Sequence, residues 1–501
     1  MHDSRVPVIV GVGQVTQRWC PDGPHHDALG LMTEAARRAL ADAASPRIGA
    51  TIDVVAVVNT VTWSYRDAPG QVCSRLGLEP GRRIYTGIGG NTPQFLVNRF
   101  AREIEAGQIR SALICGAEAG YSARKVAAGA DFGWPPPGEP ERIDGDNRLG
   151  SSDYEIAYDL VLPAFVYPFF ETALRAAAGR SPADHTRFLG WLCSRMSAVA
   201  AGHPYAWLQE PLTPEEIATV TDDNRMVGYP YTKRMNANMS VDQGAAIVVT
   251  SEGVAARLGI DRERWVYPMG GADLCDVWEF TRRPCLHESP AIRAAIAAAL
   301  EQAGVGLDAI DFFDFYSCFP SAVQIGLKAA GLPADDPRGV TVTGGLPYFG
   351  GPGNNYSSHA IATVVEKIRN DRTRHALVTA LGWYITKHSV GVYGGRPRRI
   401  PWNESNCSRE QAQIDARALP EPVQEYSGNL VIEAFSIRHR RAGPPRRGWL
   451  LGRDRQGRRV LAEIDASPEE LLDLEAEEIV GLRARCRYDS ASGLNRARVL
   501  V

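Results

Sequence analysis

One stretch of this chain occurs twice, and that duplication constrains the fold more than any other feature of the sequence. Residues 92–116 and 358–382 each contain an amphipathic helical pattern, a polar turn and an apolar run that ends in glycine, 25 residues in both cases. Before each copy come another helical pattern and another strand pattern, at 27–43 and 53–60 and again at 290–304 and 310–316. We therefore predict an α/β core built from two similar halves.

Changes in composition divide the chain into four predicted regions. A proline-rich loop and helical patterns rich in aromatic residues and arginine interrupt the core, as in an excursion that carries substrate contacts. Near the C-terminus, short strand patterns separated by turns favour a small β-barrel. The predicted boundaries are 1–119 for the first half, 120–235 for the inserted loop domain, 236–400 for the second half and 424–501 for the small β domain.

Charge and composition exclude several classes of function. The net charge of −3 and the isoelectric point near 6.4 provide no basic surface for nucleic acid or for an anionic membrane. No apolar run approaches the ~20 residues that span a bilayer, and the first residues lack the pattern of a signal peptide. We expect a cytoplasmic protein without a nucleic-acid partner and without membrane insertion.

The nine cysteines are scattered and include no Cys-x-x-Cys pair, so neither a disulfide framework nor a zinc site is expected. Most should be small buried hydrophobic residues. Phosphate-binding patterns are also missing, because the sequence contains no GxxxxGK[ST] motif and GVGQVTQ lacks the third glycine of a dinucleotide fingerprint. Metal-dependent and nucleotide-driven chemistry are therefore disfavoured.

Three further segments carry a resemblance to a known family. They are GAAIVVTSEGVAARLGI, DFYSCFPSAVQIGLKAAGL and GGLPYFGGPGNNYSSHAIA, which begin at residues 244, 314 and 344. Together with the paired halves, they resemble the thiolase superfamily, most closely the sterol-carrier-protein thiolases and thiolase-like proteins of type 1. The resemblance covers residues 8–393, and 424–501 is similar to the additional C-terminal domain of the type 1 proteins. It implies a five-layered αβαβα core, an OB-like C-terminal barrel and action on acyl-coenzyme A thioesters.

The resemblance also implies that two of the usual catalytic positions are altered. The position of the nucleophilic cysteine falls on Gly90, and the Gly-His-Pro turn of the family is Gly350, Gly351 and Pro352 here. Glycine cannot attack a thioester, and transfer through a covalent acyl-enzyme needs a nucleophile. We therefore expect little ordinary thiolase activity.

A third position retains a reactive group. Where the sterol-carrier-protein thiolases have His-Asp-Cys-Phe, this chain has Tyr316, Ser317, Cys318 and Phe319. Cys318 thus occupies the position of the acid/base cysteine, and the pattern of strand followed by helix places it at a helix N-terminus. The alternative is that Cys318 is simply a buried turn residue.

Two tyrosines and two histidines complete the candidate catalytic residues. Superposing the repeats puts Tyr356 in register with Gly90, and Tyr316 and Tyr356 together offer a weak acid/base pair. Equally, both tyrosines could serve only in packing. His359, on the first turn of the same helix, and His388, in a loop that lines the acyl pocket in the family, are reserve candidates.

Coenzyme A is the ligand that the resemblance implies, as substrate rather than as a tightly bound cofactor. Gly89, Gly90 and Gly351 would shape the pantetheine tunnel and supply backbone donors. Lys233 and Arg234 are candidates for its phosphates, as are Arg124 and Lys125, although solvated surface charge is the commoner role of such residues.

Three functions stay open on the sequence. The first is a repurposed acyltransferase with Cys318 as the remaining reactive group. The second is a retro-aldolase that cleaves a β-hydroxyacyl-CoA with Tyr316 and Tyr356, aided by the fused β domain. The third is a non-catalytic protein that binds coenzyme A or a partner. We predict acyl-CoA binding with carbon–carbon bond chemistry, in either a monomer or a homodimer that pairs strands near residues 112–115.

Overall fold

The computed structural model of the protein describes residues 4–402 and 406–500. The first region contains β1 (Pro7–Thr16), α1 (Ala28–Asp42), β2 (Ile52–Val57), α2 (Ala68–Leu76), β3 (Arg82–Tyr85), α3 (Thr92–Glu105) and β4 (Ser111–Ala119). The insertion contains α4 (Gly120–Ala127), α5 (Asp153–Ala157), α6 (Pro163–Ala177), α7 (Pro182–Ala201), α8 (Pro214–Ala218), β5 (Met226–Tyr229) and β6 (Tyr231–Thr232).

The remaining elements follow in two groups. The first group contains β7 (Asp242–Ser251), α9 (Glu252–Arg257), β8 (Tyr267–Cys275), α10 (Pro290–Ala303), β9 (Phe312–Asp314), α11 (Pro320–Ala330), α12 (Gly345–Tyr348), α13 (Tyr356–Asn370), β10 (His375–Gly382) and β11 (Lys387–Gly394). The second contains α14 (Ser408–Asp415), β12 (Gly428–His439), β13 (Pro445–Arg453), β14 (Arg459–Ile464), α15 (Pro468–Ala476), β15 (Arg483–Asp489) and β16 (Leu494–Leu500). Over the described residues, no helix has the length and apolar composition that crossing a membrane requires.

Two sheets form the core, and four strands of the first are arranged like the four strands of the second. The strand order is β1-β7-β4-β2-β3 in the first sheet and β8-β11-β10-β9 in the second. Strand β4 follows α3 and lies parallel to β2 and antiparallel to β7. Strand β10 follows α13 and lies parallel to β9 and antiparallel to β11. The duplicated stretches therefore occupy equivalent places, which confirms the prediction of two similar halves.

The first sheet is completed by a strand from beyond the insertion. Strand β7 pairs antiparallel with both β1 and β4. It thus belongs to the first sheet, although it lies within the 236–400 segment that the sequence analysis gave to the second half. An apolar run identifies a buried strand, but it does not identify the strand that lies beside it.

Helices α3 and α13 pack between the two sheets. Helix α3 contacts β7 of the first sheet and β8 and β11 of the second, while α13 contacts β7 and β10. Their facing side chains, such as Phe100 and Ile361, are fully buried. Helices α1 and α2 cover the outer face of the first sheet, and α10, with α11 beside it, covers the second. The core is therefore five-layered, αβαβα, as predicted.

The C-terminal region forms a closed five-stranded barrel, which confirms the predicted small β domain. Its strands follow the order β13-β14-β16-β15-β12, and β12 pairs back with β13. Strand β5 of the insertion also pairs with β12, so the barrel sheet continues into the insertion. Thr172 on α6 reinforces this junction, because its hydroxyl donates to the carbonyl of Phe435 and accepts from the Phe435 N–H, both at 3.0 Å.

The suggested dimer contact near residues 112–115 is wrong. These residues lie in β4, which is hydrogen-bonded to β7 on one side and β2 on the other. A strand inside a sheet has no unpaired backbone groups with which to pair a second chain. In this sheet the edge strand beside β2 is β3.

Candidate active site

The candidate catalytic positions meet between the two halves, where four segments contact each other. The Ala237 N–H donates to the Cys318 carbonyl at 3.1 Å, and the Gly351 N–H donates to the Asn238 carbonyl at 2.9 Å. On the other side, the Ser357 hydroxyl donates to the Gly90 carbonyl at 3.0 Å. Four segments therefore meet at one site: the start of α3, the end of β9, the segment before β7 and the glycine-rich turn.

Gly90 and Tyr316 lie in direct contact at this site. A β-carbon at Gly90 would lie 2.0 Å from Tyr316 Oη and 2.6 Å from the Leu381 carbonyl oxygen, both far inside van der Waals contact. The phenol hydroxyl thus occupies the space into which a side chain at position 90 would project. A cysteine at Gly90 could be accommodated only if Tyr316 or the end of β10 moved.

Tyr316 is held in a buried and protonated state. Its side chain is 7% exposed, and its backbone N–H donates to Thr379 Oγ1 at 2.9 Å. Burial raises the pKa of Tyr316, and the neighbouring Cys318 raises it further. At neutral pH the hydroxyl can therefore donate a hydrogen bond or a proton, but it is a poor base.

Tyr356 lies edge-on to Tyr316, with ring centroids 5.6 Å apart and planes at 90°. The Tyr356 hydroxyl donates to Asp314 Oδ1 at 3.0 Å and shares a hydrogen bond of 2.6 Å with Thr343 Oγ1. The side chain of Tyr356 is fully buried. The structure therefore brings the two predicted tyrosines together, but it directs the Tyr356 hydroxyl to a carboxylate.

Asp314 is a site residue that the sequence analysis missed. Its Oδ2 atom accepts from Thr341 Oγ1 at 2.7 Å and from the Val342 N–H at 3.1 Å. Burial raises the pKa of Asp314, and these hydrogen bonds act in the opposite direction. The available signal was an acidic residue flanked by aromatic residues in the run FFDFY, where a buried charge needs a partner.

Cys318 lies immediately before Phe319, the N-cap of α11, as the pattern of strand and helix predicts. The residue is half-buried. Burial raises the pKa of the Cys318 thiol to about 12, and the nearby Tyr167 hydroxyl offsets this only in part. The thiol is consequently protonated at neutral pH, whereas a nucleophilic or basic cysteine acts as the thiolate.

The two reserve histidines are buried and form hydrogen bonds with other residues. His359 Nδ1 bonds to Gln14 Oε1 at 2.8 Å, and burial lowers its pKa to about 3. His388 Nε2 lies 3.2 Å from Ser289 Oγ and 3.1 Å from the Ile385 carbonyl, and burial lowers its pKa to about 4. Both imidazoles are therefore neutral above about pH 5.

The surroundings of Gly351 differ from those of Gly90. A β-carbon at Gly351 would lie 3.5 Å from Ala237 Cβ and 3.5 Å from the Asn238 carbonyl oxygen, which are ordinary contacts. Gly89 lies against Lys387, whose Nζ would be 2.8 Å from a β-carbon there. Burial lowers the pKa of Lys387. The sequence analysis did not single out this partly buried lysine.

The predicted phosphate-binding residues lie on the surface. Lys233 Nζ donates to the Asp223 carbonyl at 3.2 Å, and Arg234 Nη1 donates to the Glu216 carbonyl at 2.7 Å. Arg124 is exposed, while Lys125 Nζ lies 5.0 Å from the ring centroid of Trp19. Lys233 and Arg234 precede Ala237 in the chain, so they are close to the candidate site in sequence. Among the described residues, no three His, Cys, Asp or Glu side chains are grouped to hold a metal ion.

Comparison with known proteins identifies the fold. The Ltp2-ChsH2(DUF35) aldolase has 19% identity and a TM-score of 0.60, and the alignment covers 78% of this chain and 98% of the aldolase chain. The dimeric peroxisomal thiolase of Saccharomyces cerevisiae has 14% identity and a TM-score of 0.56, with 78% and 97% covered. At such identities the likeness shows the fold alone, and that fold is the thiolase fold.

A more similar structure defines the family. A monomeric SCP2-thiolase like protein type 1 from Mycobacterium smegmatis has 34% identity and a TM-score of 0.84, with 99% of each chain covered. The family model for the additional C-terminal domain of thiolase-like protein type 1 matches residues 410–491. The chain therefore belongs to the type 1 SCP2-thiolase-like proteins. No curated protein matches its sequence.

Proposed function

We propose that this protein binds acyl-CoA thioesters between its two halves and acts on a carbon–carbon bond without forming a covalent acyl-enzyme. The observation that carries the proposal is the contact between Tyr316 Oη and Gly90. Covalent acyl transfer needs a nucleophile, and a phenol with a raised pKa stands where the cysteine of a thiolase would project. What this geometry offers instead is a neutral donor beside the thioester oxygen.

The start of α3 supports the same role. The N-cap residue Asn91 forms no side-chain hydrogen bond to the first turn, so the positive end of the helix dipole is left without a capping group. Negative charge develops on the thioester oxygen when a bond to the neighbouring carbon breaks. Donors and dipoles directed at that oxygen lower the barrier more than they stabilise the substrate.

Retro-aldol cleavage of a β-hydroxyacyl-CoA is the reaction that these groups support best. Tyr356 would accept the β-hydroxyl proton while passing its own proton to Asp314, to which it is hydrogen-bonded at 3.0 Å. The bond between the α- and β-carbons would break, leaving a carbonyl product and an enolate whose oxygen accepts from Tyr316. Asp314 would return its proton to Tyr356 while Tyr356 passes the β-hydroxyl proton to the α-carbon, which releases the shortened acyl-CoA and restores both groups. The raised pKa of Asp314 favours its acceptance of the proton.

Coenzyme A would be a substrate component rather than a resident cofactor. In this proposal Lys233 and Arg234 bind its phosphates as charge-assisted donors, since their present acceptors are neutral carbonyls at the surface. Gly89 and Gly351 would let the pantetheine arm approach the backbone. Thioesters of this kind belong to lipid metabolism, which we place in the cytoplasm.

A second candidate function, binding without catalysis, has one observation in its favour. Tyr316 is 7% exposed and Tyr356 is fully buried, so both hydroxyls are largely shielded from solvent. In that case coenzyme A would raise the melting temperature by mass action, and no thioester would be turned over.

One set of measurements separates the candidates. We expect cleavage of a β-hydroxyacyl-CoA by the wild-type protein, at least ~100-fold slower turnover in Tyr316→Phe, and nearly unchanged coenzyme A affinity in that variant. Tyr267→Phe is the matched control, because it also removes one tyrosine hydroxyl. That hydroxyl donates to Glu252 on α9, outside the candidate site. Coenzyme A binding without cleavage would favour the second candidate. A stoichiometric acyl adduct on any cysteine after incubation with labelled acetyl-CoA would overturn the non-covalent mechanism.

A further inference from the structure

A cavity of about 250 Å³ lies outside the candidate active site, where the segment after β8 meets the start of α10. Its walls come from three parts of the chain. They are formed by Asp276, Val277, Arg283, Pro284, Cys285, Glu288, Pro290, Arg293, Ala294, Ala297 and Arg417. None of these residues has a role in the proposed reaction.

Arg283 is the most unusual residue of this cavity, because its guanidinium is buried without a carboxylate contact. The residue is 2% exposed. Its Nε donates to the Val277 carbonyl at 2.9 Å, and its Nη2 donates to Thr386 Oγ1 at 2.9 Å. Nη1 has no hydrogen-bond partner among the described residues. The guanidinium carbon lies 5.3 Å from the ring centroid of Phe170, and this cation–π contact offsets part of the cost of burying the charge. The unused donor leaves the rest of that cost, which an anion would offset.

The cavity is lined by three arginines and two carboxylates, so the charge of its lining is positive by one. Arg293 and Arg417 are both exposed at its rim. The two lining carboxylates offset part of this charge: Asp276 Oδ2 accepts from Ser289 Oγ at 2.7 Å, and Glu288 pairs with Lys328 at 2.9 Å and with Arg293 at 3.6 Å. Helix α10 begins beside the cavity with Pro290, so its positive end adds to the arginines.

The remaining wall is apolar and the volume is small. Val277, Pro284, Pro290, Ala294 and Ala297 provide carbon surface and no charge. The volume of about 250 Å³ is below the ~300–1,000 Å³ typical of sites for drug-sized ligands. These walls combine cationic and apolar surface, which fits a small ligand that carries both an anionic group and a short hydrocarbon body.

We propose that this cavity binds a small organic anion, with its carboxylate or phosphate on Arg283 and its short apolar body against the alanines of α10. Arg293 and Arg417 would close over the anion from the rim. Planar guanidinium groups bind both oxyanions through paired, charge-assisted hydrogen bonds, so the same site chemistry serves a carboxylate and a phosphate ester. This binding site is separate from the thioester site.

Isothermal titration of the full-length protein at constant ionic strength tests the proposal, with sodium butyrate, sodium succinate and inorganic phosphate as probes. Constant ionic strength is needed because the rim charges are screened by salt. We expect saturable binding of at least one probe with a dissociation constant of about 1 mM or lower. Butyrate binding best would identify a monocarboxylate, and phosphate binding best would identify a phosphate ester.

Substitutions locate the bound anion. Arg283→Gln should weaken binding by about tenfold or more, and the exposed variants Arg293→Gln and Arg417→Gln should each weaken it about threefold. The rim variants keep the test valid if Arg283→Gln does not fold. Arg37→Gln, a change on the exposed face of α1, is the control and should have no effect. Absence of saturable binding by all three probes, or binding that every cavity variant leaves unchanged, would overturn the proposal.

A competition measurement distinguishes this site from the thioester site. Saturating coenzyme A should leave anion binding unchanged, because no cavity residue is shared with the site around Gly90. Full competition would show instead that the probes enter the coenzyme A site. A thioester-site variant that no longer binds coenzyme A should still bind the anion probes. Failure of the proposed function would therefore not affect the test of the anion site.

Discussion

At the scale of single residues, the two glycines at the altered catalytic positions differ in what surrounds them. A β-carbon at Gly90 would lie 2.0 Å from Tyr316 Oη, whereas one at Gly351 would have its first neighbours at 3.5 Å. Overpacking of a buried site costs about 1–3 kcal/mol. We therefore expect Gly90→Ala to lower the free energy of unfolding by that amount and Gly351→Ala to change it by less than ~1 kcal/mol, as measured by urea denaturation. Equal effects of the two substitutions would contradict this account of Gly90.

Cys318 yields a second prediction at this scale. With a pKa of about 12, only about 10⁻⁵ of its thiol is ionised at pH 7. Cys20 is exposed and serves as an internal reference. Iodoacetamide at pH 7 should modify Cys20 at least ~100-fold faster than Cys318, as followed by peptide mass spectrometry. A Cys318 rate equal to or above that of Cys20 would restore the acyltransferase function that depends on this thiol.

The sequence could predict which residues stand at the catalytic positions but not what touches them. Counting along the repeat aligned Gly90 with Tyr356, and the family resemblance assigned Gly351 and Cys318. The contact of Tyr316 with Gly90 depends on how closely the two halves approach, since Leu381 at the end of β10 also borders that space. Asp314 was missed because a lone acidic residue in a strand does not reveal its partners, which lie between residues 341 and 356.

At the scale of elements, the end of α1 contains a residue in an unfavourable backbone conformation. Ala44 has φ of 52° and is exposed, immediately after the helix. This left-handed conformation costs a non-glycine residue roughly 1 kcal/mol, and glycine is the usual residue there. Ala44→Gly should therefore stabilise the protein by about 0.5–1 kcal/mol in urea denaturation.

Ala41→Gly, a matched substitution within α1, should change the free energy of unfolding in the opposite direction and destabilise the protein. Ala41 is also exposed but lies within α1, where glycine is less favourable than alanine by about 1 kcal/mol. If both variants were destabilised alike, the strain at Ala44 would not be the controlling factor.

Local elements followed from the sequence, but their pairing did not. The predicted helix at 290–304 is α10, Pro290–Ala303, and the predicted strand at 53–60 is β2, Ile52–Val57. Periodicity of apolar residues and the glycines after helices are local signals. The position of β7 between β1 and β4 depends on contacts with residues more than a hundred positions away, which no local pattern contains.

At the scale of the whole molecule, the C-terminal barrel is joined to the core through the insertion. Strand β5 pairs with β12, and the buried Arg175 on α6 pairs with Glu478 at 2.9 Å. The same arginine donates to the Tyr229 hydroxyl at 2.7 Å. Arg175 is buried although Glu478 is one-third exposed, and leaving a buried charge without its partner is costly, so this junction fixes the barrel against α6. The insertion thus links the barrel to the layers that contain the candidate site.

Three buried histidines make the stability of the whole molecule depend on pH. Burial lowers the pKa values of His203, His359 and His388 to about 4, 3 and 4. In the unfolded chain they return to about 6.5, so below that pH the unfolded state binds more protons than the folded state. The stability that the folded state gains by burying these imidazoles in their neutral form is therefore present above pH 6.5. It is lost progressively as the pH falls toward 4. Buried carboxyls act in the opposite direction and offset part of the loss, since burial raises the pKa of Glu118 to about 7 and also raises the pKa of Asp314.

We therefore expect each of the three histidines to lower the free energy of unfolding between pH 7 and pH 5, by up to about 1.4 kcal/mol per pH unit. Urea denaturation at the two pH values measures the difference. His203→Gln should reduce the dependence by the share of one group, because a glutamine can keep the hydrogen bond to Thr363 without titrating. His26→Gln is the control, as His26 is exposed. A pH dependence that His203→Gln leaves unchanged would mean that this imidazole becomes protonated in the folded state, contrary to its burial.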